Sequence, residues 1–186
     1  MDAQASENIE TPESFGSSVN ASAEAADDLD VGGVFTFTCV DPDGNVKWEE
    51  EIPNQVVDEG ETYVLDVAFS GATQVSTHYI GLIEGSSPSI AESDTLSSKS
   101  WTENQDYDEA NRQTWSEGGV SSQSIDNSGS PASFTMNASV TIGGAFLTQS
   151  NTKGGTSGVL IAAGTFGTAR SVGSGDTLNV TYTISA

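Results

Sequence analysis

Basic residues are almost missing from this chain. Of 186 residues only Lys47, Lys99, Arg112, Lys153 and Arg170 are basic, against 27 Asp and Glu, for a formal charge of -22. Neutralising phosphates takes clustered Lys and Arg, so DNA and RNA are excluded as partners, and so are anionic membrane surfaces. The single cysteine, Cys39, excludes an intrachain disulfide framework and any Cys-based zinc site. It sits in an alternating apolar run, which predicts a buried free thiol. The single histidine, His78, falls in the strand-like STHYIGL and reads as a structural group rather than a general base. No apolar run approaches the roughly 18 residues of a membrane span. The N-terminal MDAQASENIE has neither a basic n-region nor an apolar core, so no signal peptide is expected. Neither G-x-S-x-G, a P-loop nor a His-rich metal motif occurs, and no enzymatic activity is expected.

What the chain has in excess is acid, glycine and small polar residues. The carboxylates are spread over nearly every turn rather than blocked in one tail. That distribution points to a salt-adapted surface, because at molar salt the Debye length is about 3 Å and surface carboxylates barely repel. A surface made to attract a cationic partner or metal ions is the other reading. No cofactor is expected; a structural Mg²⁺ or Ca²⁺ held by surface acids is the one ion the composition allows. Residues 1–31 are a territory of their own, with eight acids, no base and mostly alanine as apolar content. They read as an acidic arm or flexible anchor, with Ser18–Asp28 able to make one short helix. Residues 32–186 read as one β-sandwich domain.

Within that domain GVFTFTCV alternates at period two, with Phe37 and Cys39 apolar and Thr36 opposite Phe35. Asp43-Gly44 between it and VKWEEEI is a hairpin signal. A calcium loop on Asp41, Asp43 and Asn45 fails, because the sixth and twelfth positions are Val46 and Ile52 rather than Gly and Glu. NQVVDEGETYVLDVAFSG predicts a short helix near 58–70, capped by Asp58 with Glu61 and ended at Gly71, with Val64, Leu65, Ala68 and Phe69 on the packing face. STHYIGLIEG, ASFTMNASVTI, GAFLTQS, VLIAAGTF and TLNVTYTISA read as strands; GSSPSIAESDTLSSK, NTKGGTSG and TARSVGSGD read as loops or turns. Eight or nine short strands and one helix predict a mainly β fold, an antiparallel, jelly-roll-like β-sandwich, with a closed barrel as second choice.

SWTENQDYDEANRQTW, residues 100–115, is the densest chemistry in the chain: two Trp, one Tyr, four carboxylates and one of two Arg. Trp101, Tyr107 and Trp115 offer rings that can stack on a sugar. In the structural reading the two tryptophans start strands on either side of a turn and plug one end of the sandwich. Arg112 then pairs with Glu103, Asp106 or Asp108 and holds the loop shut.

Four blocks occur in order: DGNVKWEEEIPNQVVDEG, STHYIGLIEG, DTLSSKSWTENQDYDEANRQTW, and the end block from FTMNASVTIGG to VTYTIS. Over residues 33–185 this arrangement resembles a group of small virion-associated proteins of tailed viruses, of the capsid-decoration type. The acidic surface suggests the version from a tailed virus of halophilic archaea. The resemblance implies a non-enzymatic virion protein made in the host cytoplasm. Decoration (cement) or turret protein on the head is the first expectation; a tail or fibre component, or a receptor (glycan)-binding module, is the alternative. It implies the major capsid protein or other virion proteins as partners, and a homo-oligomer, trimer or pentamer.

The charge makes a direct prediction. Moving the protein from molar to millimolar salt restores carboxylate repulsion, so the thermal midpoint followed by circular dichroism should fall with each dilution step. A midpoint that is flat across that range contradicts the salt-adapted reading.

Overall fold

The computed structural model describes residues 31–86 and 88–186. The acidic arm, with the short helix that Ser18–Asp28 could make, lies outside the described residues, Val31 excepted. The described chain is mainly β. Its elements are β1 (Gly32–Val40), β2 (Val46–Pro53), β3 (Gln55–Val56), α1 (Asp58–Phe69), β4 (His78–Glu84), β5 (Glu103–Asn104), β6 (Gln113–Trp115), β7 (Ser124–Asp126), β8 (Ala132–Thr135), β9 (Val140–Thr148), β10 (Leu160–Val172) and β11 (Thr177–Ser185). They form two antiparallel sheets. The first runs β2-β1-β11-β7, with β8 also on β11; the second runs β3-β10-β9-β4-β5, with β6 also on β4. Trp48 Nε1 on β2 donates to the Ser171 carbonyl on β10 at 3.2 Å, and Arg170 pairs with Glu50, so the two sheets meet at one side through side chains. No ladder joins them there, and the arrangement is a sandwich rather than a closed barrel.

Strict alternation is what builds the first sheet. Phe35, Phe37 and Cys39 on β1 and Leu178, Val180 and Tyr182 on β11 are buried, and the residues between them face out. Phe35 stacks on Tyr182 with ring centroids 4.2 Å apart. The β1–β2 hairpin forms where Asp43-Gly44 placed it. Its loop is longer than a two-residue turn, because the Asp41 carboxylate accepts the backbone N–H groups of Asp43 (3.0 Å) and Asn45 (2.8 Å). Gly44 takes the left-handed conformation there, at φ 88°.

Three sequence expectations are corrected by the topology. ASFTMNASVTI is not one strand: β8 ends at Thr135 in the first sheet and β9 begins at Val140 in the second, so the alternation continues across a change of sheet. GAFLTQS is the second half of β9 rather than a strand of its own. β10 runs on to Val172, through most of what reads as a turn, by means of a register shift between Thr165 and Arg170 that tucks Phe166 against Phe37 at 4.6 Å. The count reaches eleven because β3, β5, β6 and β7 are two or three residues long and too short to show a period.

The helix exists where expected, but its start and its packing face differ. Val57, not Asp58, is the capping position, and no side chain caps it. The free N–H groups go to tertiary partners instead: Val57 donates to the Ile161 carbonyl (3.2 Å) and Asp58 to the Glu92 carbonyl (2.9 Å). Gly60 lies against that same Ile161 carbonyl, where a Cβ would stand 2.1 Å from the oxygen. This contact turns Gly60, Tyr63, Val64 and Val67 inward, and leaves Leu65 and Phe69 exposed. Gly71 ends the helix at φ 73° as expected.

The core between the sheets is one cluster that includes Phe37, Ile80, Leu82, Trp115, Phe134, Leu147 and Tyr182. The second sheet is covered on its outer face as well: Ile90, Leu96 and Trp101 from the chain after β4 pack on Ile83, Phe146, Leu160 and Ala163. Among the described residues the first sheet has no such cover.

Gly60 gives a test of the helix seat. Alanine there gains up to about 1 kcal/mol in helix propensity, but its methyl must displace a backbone carbonyl, and overpacking costs about 1–3 kcal/mol. Gly60→Ala should lower the urea midpoint at unchanged slope; a raised midpoint refutes the packing described here.

Candidate functional site

β5 and β6 lie end to end along one edge of β4. Ile83 and Leu82 pair with Glu103 and Asn104, and Ile80, Tyr79 and His78 pair with Gln113, Thr114 and Trp115. Residues 105–112 must therefore leave the sheet edge and return to it. The outward part of that loop reaches the first sheet. Asp108 N–H donates to the Thr135 carbonyl at 2.9 Å, Asn137 N–H to the Asp106 carbonyl at 3.1 Å, and Thr135 N–H to the Glu109 carboxylate at 3.1 Å.

Arg112 closes the loop. It is 2% exposed and Glu103 is 6% exposed. Nε and Nη2 donate to the two Glu103 carboxylate oxygens at 2.9 and 2.7 Å, the bidentate geometry that suits a guanidinium. Nη1 donates to the Ser150 carbonyl at 3.0 Å and Nη2 also to the Gly155 carbonyl at 2.8 Å. Gly154 N–H donates to Glu103 Oε2 at 3.0 Å, and Arg112 N–H to the Asn151 carbonyl at 2.9 Å. The pair thus holds the 105–112 loop and the β9–β10 turn together. Asp106 and Asp108, the other acids considered as partners, use their backbone groups here.

The aromatic residues of the stretch do not form one platform. Trp101 lies on the outer face of the second sheet, 5.1 Å from the Phe146 ring, with Nε1 donating to Asp94 Oδ2 at 3.0 Å. Trp115 lies on the inner face, with Nε1 donating to the Tyr182 carbonyl at 2.9 Å. Tyr107 meets Phe134 edge-on at 5.0 Å, under the Lys153 ammonium 3.9 Å from its ring centroid. Trp101 and Trp115 are 5% exposed and Tyr107 is 1% exposed. Sugar stacking therefore finds no ring face here. The end-plug picture is also corrected: Trp101 precedes β5 by two residues, Trp115 is the last residue of β6, and the two sit on opposite faces of one sheet.

A second polar cluster has no signature in the sequence. Asp176 is 3% exposed. It accepts from Gly173 N–H at 2.6 Å and Lys47 Nζ at 2.5 Å, and Cys39 Sγ lies 3.8 Å away. Burial pushes its carboxyl up, but Lys47 and the Gly173 N–H outweigh that and hold it below the usual carboxylate range. Burial pushes the Cys39 thiol up to about 11, with the Asp176 charge adding to it, so the thiol stays protonated and unreactive. The only signal that could have found this cluster is the scarcity of cations. With five in the chain, each can be asked for its partner, and each has one: Lys99 donates to the Leu96 carbonyl and Lys153 to the Tyr107 carbonyl, while Lys47, Arg112 and Arg170 form ion pairs.

His78 is half-buried between the edges of Tyr63 and Trp115, 6.0 and 6.1 Å away. Burial lowers its pKa below the ordinary 6.5, against a smaller opposing effect of Glu117. Among the described residues no group of three or more His, Cys, Asp or Glu is placed to hold a metal ion. The arrangement is a set of internal staples. It does not gather a nucleophile, base and oxyanion donors around a common point.

Two measurements check this description. Arg112→Met leaves Glu103 buried without its partner, so it should cost about 3–5 kcal/mol in denaturant unfolding, and adding Glu103→Leu should recover much of that loss. A native His78 with a lowered pKa binds fewer protons than the unfolded chain once pH falls below 6.5, so protonation favours unfolding. The thermal midpoint should drop as pH falls from 7 through about 6, and the drop should be smaller in His78→Phe.

No protein-family model matches the chain, and no curated protein matches it.

Proposed function

We propose that the chain is a non-enzymatic structural protein of a virion, a decoration (cement) or turret protein carried in many copies on the head of a tailed virus of halophilic archaea. One observation carries the reading: the side chains densest in chemistry, residues 100–115, are spent on holding their own fold. Arg112 and Glu103 bond each other and the β9–β10 turn, and both tryptophan N–H groups bond within the chain. What remains for the outside is a rigid, acidic sandwich, which suits a protein whose work is shape and surface. The four-block resemblance over residues 33–185 supports the same reading.

The mechanism is mechanical. Weak contacts from each copy to the major capsid protein or other virion proteins sum over a symmetric lattice. The carboxylate exterior keeps particles dispersed in brine. Assembly takes place in the host cytoplasm, and the homo-oligomer is the unit that docks. The tail or fibre alternative predicts the same sandwich at another place on the particle.

Quantitative mass spectrometry of purified particles, with antibody labelling in the electron microscope, tests the proposal. The expected result is a stoichiometric chain labelling the head. Labelling confined to the tail selects the alternative. Absence of the chain from particles refutes both.

A further inference from the structure

Among the described residues α1 keeps an apolar face turned away from the sandwich. Leu65 is 53% exposed and Phe69 is 78% exposed, and the exposed Ala68 completes the stripe at helical spacing. Carboxylates crowd the first turn, at Asp58, Glu59 and Glu61, and Asp66 stands next to Leu65. Past Asp66 the chain carries no Asp, Glu, Lys or Arg until Glu84. The second half of the helix is therefore apolar and uncharged in a chain otherwise dense in acid.

We propose that residues 14–23 of the same chain lie over this face, with Phe15 and Val19 against Leu65 and Phe69. The N-terminal arm joins the described chain beside the helix. β1 starts at Gly32, and the Gly33 carbonyl accepts the Asn54 N–H at 3.1 Å, four residues before α1 begins at Asp58. That short link and the length of the helix put Phe69 no more than about 35 Å from Gly33. The chain from Val19 to Gly33 can span about 45 Å when extended, so residues 14–23 reach the face from their own attachment point. A tether of this kind holds its end near the helix at an effective concentration on the order of millimolar, which favours the chain's own arm over that of a second copy.

Charge selects the segment. Apart from Met1 and the alanines, the arm's apolar residues before Val31 are Ile9, Pro12, Phe15, Val19 and Leu29. Ile9 adjoins Glu10, Pro12 adjoins Glu13, and Leu29 lies between Asp28 and Asp30, so burying any of them draws a neighbouring carboxylate out of water, which is costly. Residues 14–23, SFGSSVNASA, carry no charge at all. The uncharged part of the arm thus matches the uncharged part of the helix. The acids on either side of it, Glu13 and Glu24 among them, keep their water, and molar salt screens what repulsion they exert on Asp66. The inference stands on this surface alone, and its test is separate from incorporation into particles.

Disulfide trapping in the full chain tests it, and the buried native Cys39 does not interfere. Ser18→Cys with Ala68→Cys reports contact with the helix face. Ser18→Cys with Val46→Cys is the control, since Val46 is 57% exposed and opens β2 at the end away from α1. Under copper-catalysed oxidation in molar KCl, the Ala68→Cys pair should close within one chain at least tenfold faster than the Val46→Cys pair. Adding Phe15→Ser, or Phe69→Ser from the other side of the contact, should bring it down to the control rate while the circular dichroism stays unchanged. Equal rates for the two pairs overturn the proposal. So does trapping that ignores both serine substitutions, and so do bridges formed chiefly between chains, which give the face to the arm of a second copy.

Discussion

The buried Glu103–Arg112 pair is the contact on which the loop architecture depends. Two charges in an interior are costly, and their attraction alone does not repay the loss of water. Here the remaining hydrogen-bonding capacity is filled by the Ser150 and Gly155 carbonyls and by the Gly154 N–H. The site is complete only when β5, β6 and the β9–β10 turn are all in place. A fully satisfied buried network of this kind selects one arrangement of its loops, because any other leaves a charge stranded. The Arg112 guanidinium also lies 5.1 Å from the Phe146 ring, so the network is continuous with the cluster under Trp101.

The same economy runs through the whole chain. An acidic exterior is cheap to keep in concentrated salt, and cations are few. Each cation that the chain retains is fixed to a partner: Lys47 at the turn before β11, Arg170 at the lateral seam, Lys99 and Lys153 on loop carbonyls. Lys47, Lys153 and Arg170 act as fasteners between segments distant in sequence, whereas Lys99 bonds a carbonyl three residues back in its own loop. Among the described residues most of the carboxylates left over are exposed, Asp94 under Trp101 being buried.

Much of the fold is legible because period-two alternation is a local property. Phe35, Phe37 and Cys39 on β1, and Leu178, Val180 and Tyr182 on β11, declare their buried face without any partner being known. The turn at Asp43-Gly44 and the helix stop at Gly71 are legible for the same reason, since each rests on one residue's backbone preference. The helix face was not. Val64, Leu65, Ala68 and Phe69 make as good a stripe as Gly60, Tyr63, Val64 and Val67 until the Ile161 carbonyl selects the glycine side. Nor did the sugar-stacking possibility at Trp101, Tyr107 and Trp115 have a local signature for or against it, because ring burial is set by which layer covers the ring.

What the sequence determined by itself is the mainly β class, the run of alternating strands, the single helix and the strongly acidic surface. These follow from residue-level preferences and from counting charge. What only the tertiary structure decided is the sheet to which each alternating run belongs, the split between β8 and β9, and the choice of Glu103 over Asp106 and Asp108 as the partner of Arg112. Alternation records that a side chain is buried but not what it is buried against. An arginine among several acids finds its partner only when distant loops supply the other hydrogen bonds that make a buried charge tolerable.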